Sequence, residues 1–432
     1  MSPIMIGIIG FLILFAILAL GMPIGLGMAT IGFIGMLFFL PGSAVLAKLA
    51  ATPFANISSY DLSVLPLFLL MANITFSSGI SGQLFNLANK WLGHNRGGAA
   101  MATVGACAGF AAVSASSIAT AATMGLMAIP EMKRLKYDMR LATGSVAAGG
   151  TIGILIPPSS LLILYGILTE TSIGKLFLAG FIPGLLEAVF YVITIYILCR
   201  INPTLGPRGP KTTFKEKLMA FRGCGEMAGL IFLVLGGLIL GWFTPTEAGA
   251  VGSFGAIFFS LIRKQLNWPK FKHAVIETMK ITGMVYTIVI GAFIFNHFLT
   301  MSTIPRQLAN FVSGLEIPVL LTVLLIILVY MFLGCIVDAF AMLMLTIPVF
   351  FPMAQALGID LLWFGILITR IMEMAMITPP VGMNVYVIAG VAPDVPIQDI
   401  FKGILPFFLA DIVHVSLLVF VPSVALFLPN LI

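Results

Sequence analysis

The chain has 432 residues, 60% of them hydrophobic and only 9% charged, with a mean hydropathy of +1.13. That composition excludes a water-soluble domain, and the formal charge of +6 is no larger than membrane topology alone produces, so no nucleic-acid partner is expected. Cys107, Cys199, Cys224 and Cys335 form neither a CxxC motif nor a Cys/His cluster, which leaves no disulfide framework or zinc site to expect.

Apolar runs of roughly 17 to 25 residues recur from Ile4 to Ile432, each long enough to cross about 30 Å of hydrocarbon as a helix. They predict an all-α polytopic membrane protein with about ten or more membrane segments; the two-residue alternation of a barrel is absent. The first residues lack the charged start and cleavage site of a secretory signal, so residues 1–43 are expected to be retained membrane segments.

Residues 44–200 read as a first structural repeat: an arm helix, a re-entrant hairpin over about 98–130 and a broken helix over 141–168. The hairpin carries "AAVSASSIATAATMG" (111–125), a run of small hydroxyl residues inside an apolar stretch. The broken helix carries "GGTIGILIPPSSLLILYG" (149–166), where Pro157 and Pro158 remove amide donors and push the preceding residues out of helix, freeing carbonyls near Gly153 to Ile156.

Positive charge collects at 131–140, 199–222 and 262–273, which therefore read as cytoplasmic loops. Two crossings fit between the first pair of loops and two more between the second pair. Residues 201–264 form a basic cytoplasmic linker with an extra helical segment, and Glu187 and Glu247 read as structural.

Residues 265–432 read as a second repeat: an arm helix, a re-entrant hairpin over about 317–352 and a broken helix over 361–392. "LIPPSSLLILYG" (155–166) has its counterpart in "MITPPVGMNVYVIAG" (376–390), and further matches keep the same order at an offset near 220 residues. The hairpin "LGCIVDAFAM" (333–342) carries Asp338. The expected fold is two structural repeats with re-entrant hairpins and broken helices.

Paired breaks at corresponding places in two halves point to a transporter's binding site, because freed carbonyls in hydrocarbon must line a cavity or hold a cation. Serine hydroxyls, carbonyls and the Asp338 carboxylate are hard oxygen ligands suited to an alkali cation. The alternatives for the same residues are proline kinks, helix packing through Ser114, Ser116 and Ser117, and an ion pair for Asp338. Arg370 and Glu373 lie three apart on nearly one helix face, which allows a local salt bridge. Facing a cavity, Arg370 would suit a carboxylate or sulfonate instead. His414 and Asp411, also three apart, suggest proton chemistry, but no matching partner is evident.

The stretches "SASSIATAATMG", "AAGGTIGILIPPS", "YGILTETSIGKLFLAGFIPG", "FTPTEAG" and "ITPPVGMNVYVIAG" resemble the large membrane subunit (M, DctM-like) of tripartite ATP-independent periplasmic (TRAP) transporters along nearly the whole chain. The resemblance implies that the two structural repeats are inverted and that the fold is of the elevator-type ion-transporter class. It implies a sodium-coupled importer of small organic anions in the bacterial inner membrane, working by an elevator movement. It also implies two partners, a separate small membrane subunit (Q-type) and a periplasmic substrate-binding protein (P-type), with no small subunit fused to this chain. Carried over residue by residue, it implies at least two sodium sites. One uses Ser114 and Ser116 with carbonyls at Gly153, Ile156 and Pro158; the other uses Asp338, Thr378, the carbonyl at Val381, and Gly334. The anion would lie near Ser117, Thr151, Ser159, Arg370 and Asn384. Ala115 departs from the glycine of the family's hairpin tip, and an alanine disfavours positive φ. Rival readings are a binding-protein-independent sodium/dicarboxylate symporter, whose Ser-Asn-Thr tips this chain lacks, an ion channel, and an intramembrane protease, for which Asp338 has no second aspartate and His414 is a poor base.

Overall fold

Every regular element is helical among the residues that the computed structural model describes, 2–314, 317–335 and 337–431. Met1, Leu315, Glu316, Ile336 and Ile432, which fall within the expected segments, lie outside the described residues. The chain opens with α1 (Pro3–Ala19), α2 (Ile24–Met36) and α3 (Gly42–Ile57), followed by α4 (Val64–Ser78) and α5 (Ile80–Leu92). A helix-turn-helix follows, α6 (Gly98–Ser114) and α7 (Ser117–Arg134), then an interrupted pair, α8 (Met139–Leu155) and α9 (Ser160–Thr169), and the 29-residue α10 (Ile173–Ile201). After the basic stretch come α11 (Phe214–Ile231), a π-helical turn at Phe232–Gly236 and the short α12 (Gly237–Ile239), then α13 (Pro245–Ile262) and the 35-residue α14 (Trp268–Ser302). The last third holds α15 (Ile304–Gly314), α16 (Val319–Gly334), α17 (Ala339–Ala356), α18 (Leu361–Ala375), α19 (Met383–Val391), α20 (Ile397–Phe420) and α21 (Ser423–Leu426).

Seven helical stretches among the described residues are long and apolar enough to cross a membrane. Five further apolar helices, among them Gly98–Ser114 and Val319–Gly334, have 10–17 residues. The count of full-length spans is lower than the apolar runs suggest, because turns and breaks cut several runs into pieces shorter than the roughly 20 residues that hydrocarbon requires.

The interrupted helices occupy the centre. Every residue of α8 from Leu141 to Leu155 is buried, as is every residue of α18 from Trp363 to Ala375. Around them pack α6, α7, α10 and α20, while α16 and α11 turn Leu320, Leu324, Leu328, Phe332, Phe214 and Leu218 outward. Such apolar exterior is what lipid solvates, and the molecule is a multi-pass α-helical membrane protein.

Against this centre, α14 packs on α4 and crosses α2 with very close backbones. A methyl group on Gly291 would sit 2.0 Å from the Gly25 carbonyl oxygen, and one on Gly25 would sit 2.5 Å from that of Thr287. Small residues permit this approach where lipid supplies no hydrophobic drive between helices. Gly291→Ala is therefore expected to cost about 1–3 kcal/mol, as overpacking does. A methyl on Gly283, on the same helix, would have nothing within 4 Å, so Gly283→Ala is expected to stabilise by up to about 1 kcal/mol through helix propensity. Melting temperatures of the two variants moving in the same direction would contradict the close α2–α14 crossing.

Candidate ion and anion site

The first cluster is built by two departures from helix. Ala115 adopts φ +50° between α6 and α7, and Ser116 then caps α7 by accepting from the Ala119 amide at 3.3 Å. This turn gathers oxygens: Ser114 Oγ lies 2.6 Å from Thr120 Oγ1 and 3.5 Å from the Ser116 carbonyl, and Thr120 donates to that carbonyl at 2.8 Å. The break between α8 and α9 packs directly on the turn. A methyl on Gly153 would lie 2.8 Å from Thr120 Oγ1 and 3.0 Å from the Ser116 carbonyl oxygen, so only glycine allows that approach. Ser160 Oγ, two residues beyond Pro158, donates to the Ala115 carbonyl at 2.7 Å.

The structure thus brings Ser114, Ser116 and Gly153 together, with Ile156 and Pro158 on the adjoining break. Pro157 and Pro158, joined by a cis peptide, have no N–H to give to the carbonyls of Gly153 and Ile154. Thr120 completes the cluster; its spacing of four from Ser116 within the hydroxyl run was the available signal. Ser114 and Ser116 also line a cavity of about 370 Å³ that extends to Asn73, His273 and Glu277.

The second cluster is looser. Asp338 caps α17, its carboxylate accepting from the amides of Phe340 at 3.0 Å and Ala341 at 3.2 Å. The α16–α17 turn rests on the second break: a methyl on Gly334 would meet Ala375 Cβ at 2.3 Å, and Cys335 Sγ donates to the Pro379 carbonyl at 3.2 Å. Pro379 and Pro380 are again joined by a cis peptide. Here the carbonyls deprived of partners are re-satisfied by the turn, Ala375 by the Thr378 amide (3.1 Å) and Met376 by the Asn384 amide (3.2 Å). Thr378 Oγ1 donates to Met374, and Val381 is exposed. The tip and the break therefore meet through Gly334 and Cys335; no hydrogen bond among the described residues joins Asp338 to Thr378 or Val381.

The five residues expected around the anion are all buried and already engaged. Ser117 Oγ approaches Glu373 Oε1 at 3.4 Å, Ser159 caps α9 through the Leu162 amide at 3.2 Å, and Asn384 donates to the Ala147 carbonyl at 3.4 Å. Arg370 and Thr151 belong to a buried charge network. Arg370 is fully buried and does not pair with Glu373. It pairs instead with Asp411 and, at 3.4 Å, with Glu187, while its Nε donates to His414 Nδ1 at 3.1 Å. Accepting there makes His414 a neutral imidazole with its hydrogen on Nε2. Tyr191 donates to Asp411 at 2.6 Å, and Thr151 donates to Glu187 at 2.8 Å. The physical reason is proximity: α8, α10, α18 and α20 pack together, and a buried guanidinium takes the carboxylates in reach. Glu187, Tyr191, Asp411 and His414 are residues that sequence reasoning left outside the site. Their signal was pairs at i,i+4 and i,i+3 inside apolar helices.

Comparison with known proteins agrees with this architecture. Residues 11–424 match the family model described as tripartite ATP-independent periplasmic transporter, DctM component. The C4-dicarboxylate TRAP transporter large permease protein DctM of Pseudomonas aeruginosa is 36% identical over 400 residues, covering 92% of each chain. The sialic acid TRAP transporter large permease protein SiaM of Vibrio cholerae is 32% identical over 413 residues, covering 95% of each. The fold is also similar to that of MtrF of Neisseria gonorrhoeae, with a TM-score of 0.64 at 16% identity over 98% of this chain and 95% of that one. With its helices, paired breaks and near-complete match, the chain belongs to the DctM component family of TRAP transporters, which are transport permeases rather than enzymes.

Proposed function

We propose that this TRAP large permease, seated in the bacterial inner membrane, imports a small organic anion bearing a carboxylate or sulfonate and draws its energy from a sodium gradient. The single observation that carries the sodium reading is the first tip. Ser114 Oγ, Thr120 Oγ1 and the Ser116 carbonyl lie within 3.5 Å of one another, on a helix break whose Gly153 and Ile154 carbonyls face two prolines, beside a cavity that can admit an ion. Such oxygens match the hard ligation an alkali cation prefers. A second ion would be held around Asp338, Gly334, Thr378 and Val381. The names of the relatives, which specify C4-dicarboxylate and sialic acid, support an anionic cargo.

In this reading the segments 44–200 and 265–432 are inverted repeats. Their hairpins (α6–α7, α16–α17) and broken helices (α8–α9, α18–α19) move as one body against a scaffold that includes α14, in an elevator cycle. A Q-type small membrane subunit braces that scaffold, and a P-type periplasmic protein delivers the anion. Ser117, Ser159 and Asn384, enclosed in this conformation, contact the anion once the tips part.

Sodium binding is testable without knowing the cargo. At equal ionic strength the purified protein should melt at a higher temperature in sodium than in potassium chloride, since a ligand at 100 times its Kd stabilises by about 2.7 kcal/mol. Equal melting temperatures in the two salts would overturn sodium coupling. With the anion presented by its binding protein, vesicles should take it up only under an inward sodium gradient.

A further inference from the structure

The buried charges do not balance. Among the described residues, the fully buried ionisable acids and bases that carry charge in water are Glu187, Glu373 and Asp411 against the single guanidinium of Arg370. His414 is neutral, because it accepts from Arg370. Three carboxylates and one cation leave an excess of two negative charges within the packed centre of a membrane protein, where an unpaired charge costs several kcal/mol and neutralises itself where it can.

Glu187 and Asp411 are Arg370's partners and also accept from Thr151 and Tyr191. Among the described residues no cation pairs with Glu373: its Oε1 meets Ser117 Oγ, at 3.4 Å, and its Oε2 is buried without a hydrogen-bond partner. The ionisable groups on the helices packed against α18 offer it no relief. Glu187 and Tyr191 come from α10 and Asp411 and His414 from α20. Tyr165 of α9 bonds the Leu361 carbonyl, and Tyr330 of α16 bonds Thr346. No group of three or more His, Cys, Asp or Glu side chains converges among the described residues as a metal cage would require.

We propose that Glu373 is a proton-binding site: its carboxyl is held neutral by a bound proton, and in that form it seats the first hairpin tip, through Ser117, against the second broken helix. The proton adds to Glu373 from solvent and leaves the same way, with no other bond made or broken. Glu373 is a positioning residue, since it acts on the ion-binding tip through Ser117. Ionised, it would place an unpaired charge beside that tip and Glu187.

The test compares Glu373→Gln, which copies the neutral acid, with Glu373→Ala. The parent protein should show an infrared band of a protonated buried carboxyl that Glu373→Gln lacks. Glu373→Gln should melt within about 2 °C of the parent, whereas Glu373→Ala should fall further. The gap between melting temperatures in sodium and potassium should persist in Glu373→Gln. Absence of the band from the parent, or equal destabilisation by Gln and Ala, would show an ionised Glu373 and overturn the proposal. Loss of the sodium gap in Glu373→Gln alone would make Glu373 a cation ligand and overturn the proposal equally. A parent that shows the band but no sodium gap would refute sodium coupling and leave the proton site standing.

Discussion

Replacing Arg370 with methionine is expected to destabilise the folded protein by about 3–5 kcal/mol, because it leaves Glu187 and Asp411 buried without a counter-charge. The effect should appear as a lost folded fraction on extraction from the membrane, before any question of transport arises. Arg370→Lys should also fail. One ammonium cannot serve Asp411, Glu187 and His414 at once, as the planar guanidinium does with its separate nitrogens. Neutralising the whole group in the triple change Arg370→Met, Glu187→Gln, Asp411→Asn should recover most of the stability, since a packed neutral substitute for a buried ion network is often no worse than the network. The discriminating control is Arg370→Met with Glu373→Gln, which should recover nothing. Full stability of Arg370→Met combined with loss of uptake would instead return Arg370 to the role of a substrate contact.

Asp338 offers the second large effect, and its geometry separates two roles. As the cap of α17 it accepts two backbone amides, a job asparagine does as well, whereas alanine there costs about 0.5–2 kcal/mol. As an ion ligand its charge matters, and asparagine removes it. Asp338→Asn should therefore keep the parent's melting temperature in potassium but raise the sodium concentration needed for half-maximal stabilisation by more than tenfold. Asp338→Ala should lose both. An unchanged sodium midpoint in Asp338→Asn would confine the residue to capping.

Those two residues show how far the sequence could be read. The break at Pro157-Pro158 and the serine run at 114–117 were legible because their causes are local: proline lacks a donor, and hydroxyls are conspicuous in an apolar run. The approach of Gly153 to the Ser116 carbonyl follows from the same motifs. The partners of Arg370 were not legible, although each was visible as an odd charge in an apolar helix. Glu373 lay nearest along the chain, but a separation of three residues only permits contact, and the fold sent the guanidinium across to Asp411, 41 residues away. The convergence of α10, α18 and α20 is a property of helix packing that no spacing within one helix encodes. Asp338 stands between these cases. Its place at a hairpin turn was readable, whereas its capping of α17 emerges only in the folded chain.

The alanine at the first tip has a mechanical consequence. Ala115 is held at φ +50°, a region that an L-residue with a side chain enters at a cost of roughly 1–2 kcal/mol. The Ser160 hydroxyl clamps its carbonyl, and Ser114 and Thr120 bond across the same turn, so the closed tip works as a loaded spring. In the proposed transport cycle, uncoiling of the tip lets Ala115 relax to its preferred backbone and returns that energy. The return biases the tip toward opening by about fivefold or more, since 1.4 kcal/mol is a factor of ten. Glycine would supply no such recoil. In the proposed cycle a single methyl group thus tunes how readily the tip opens.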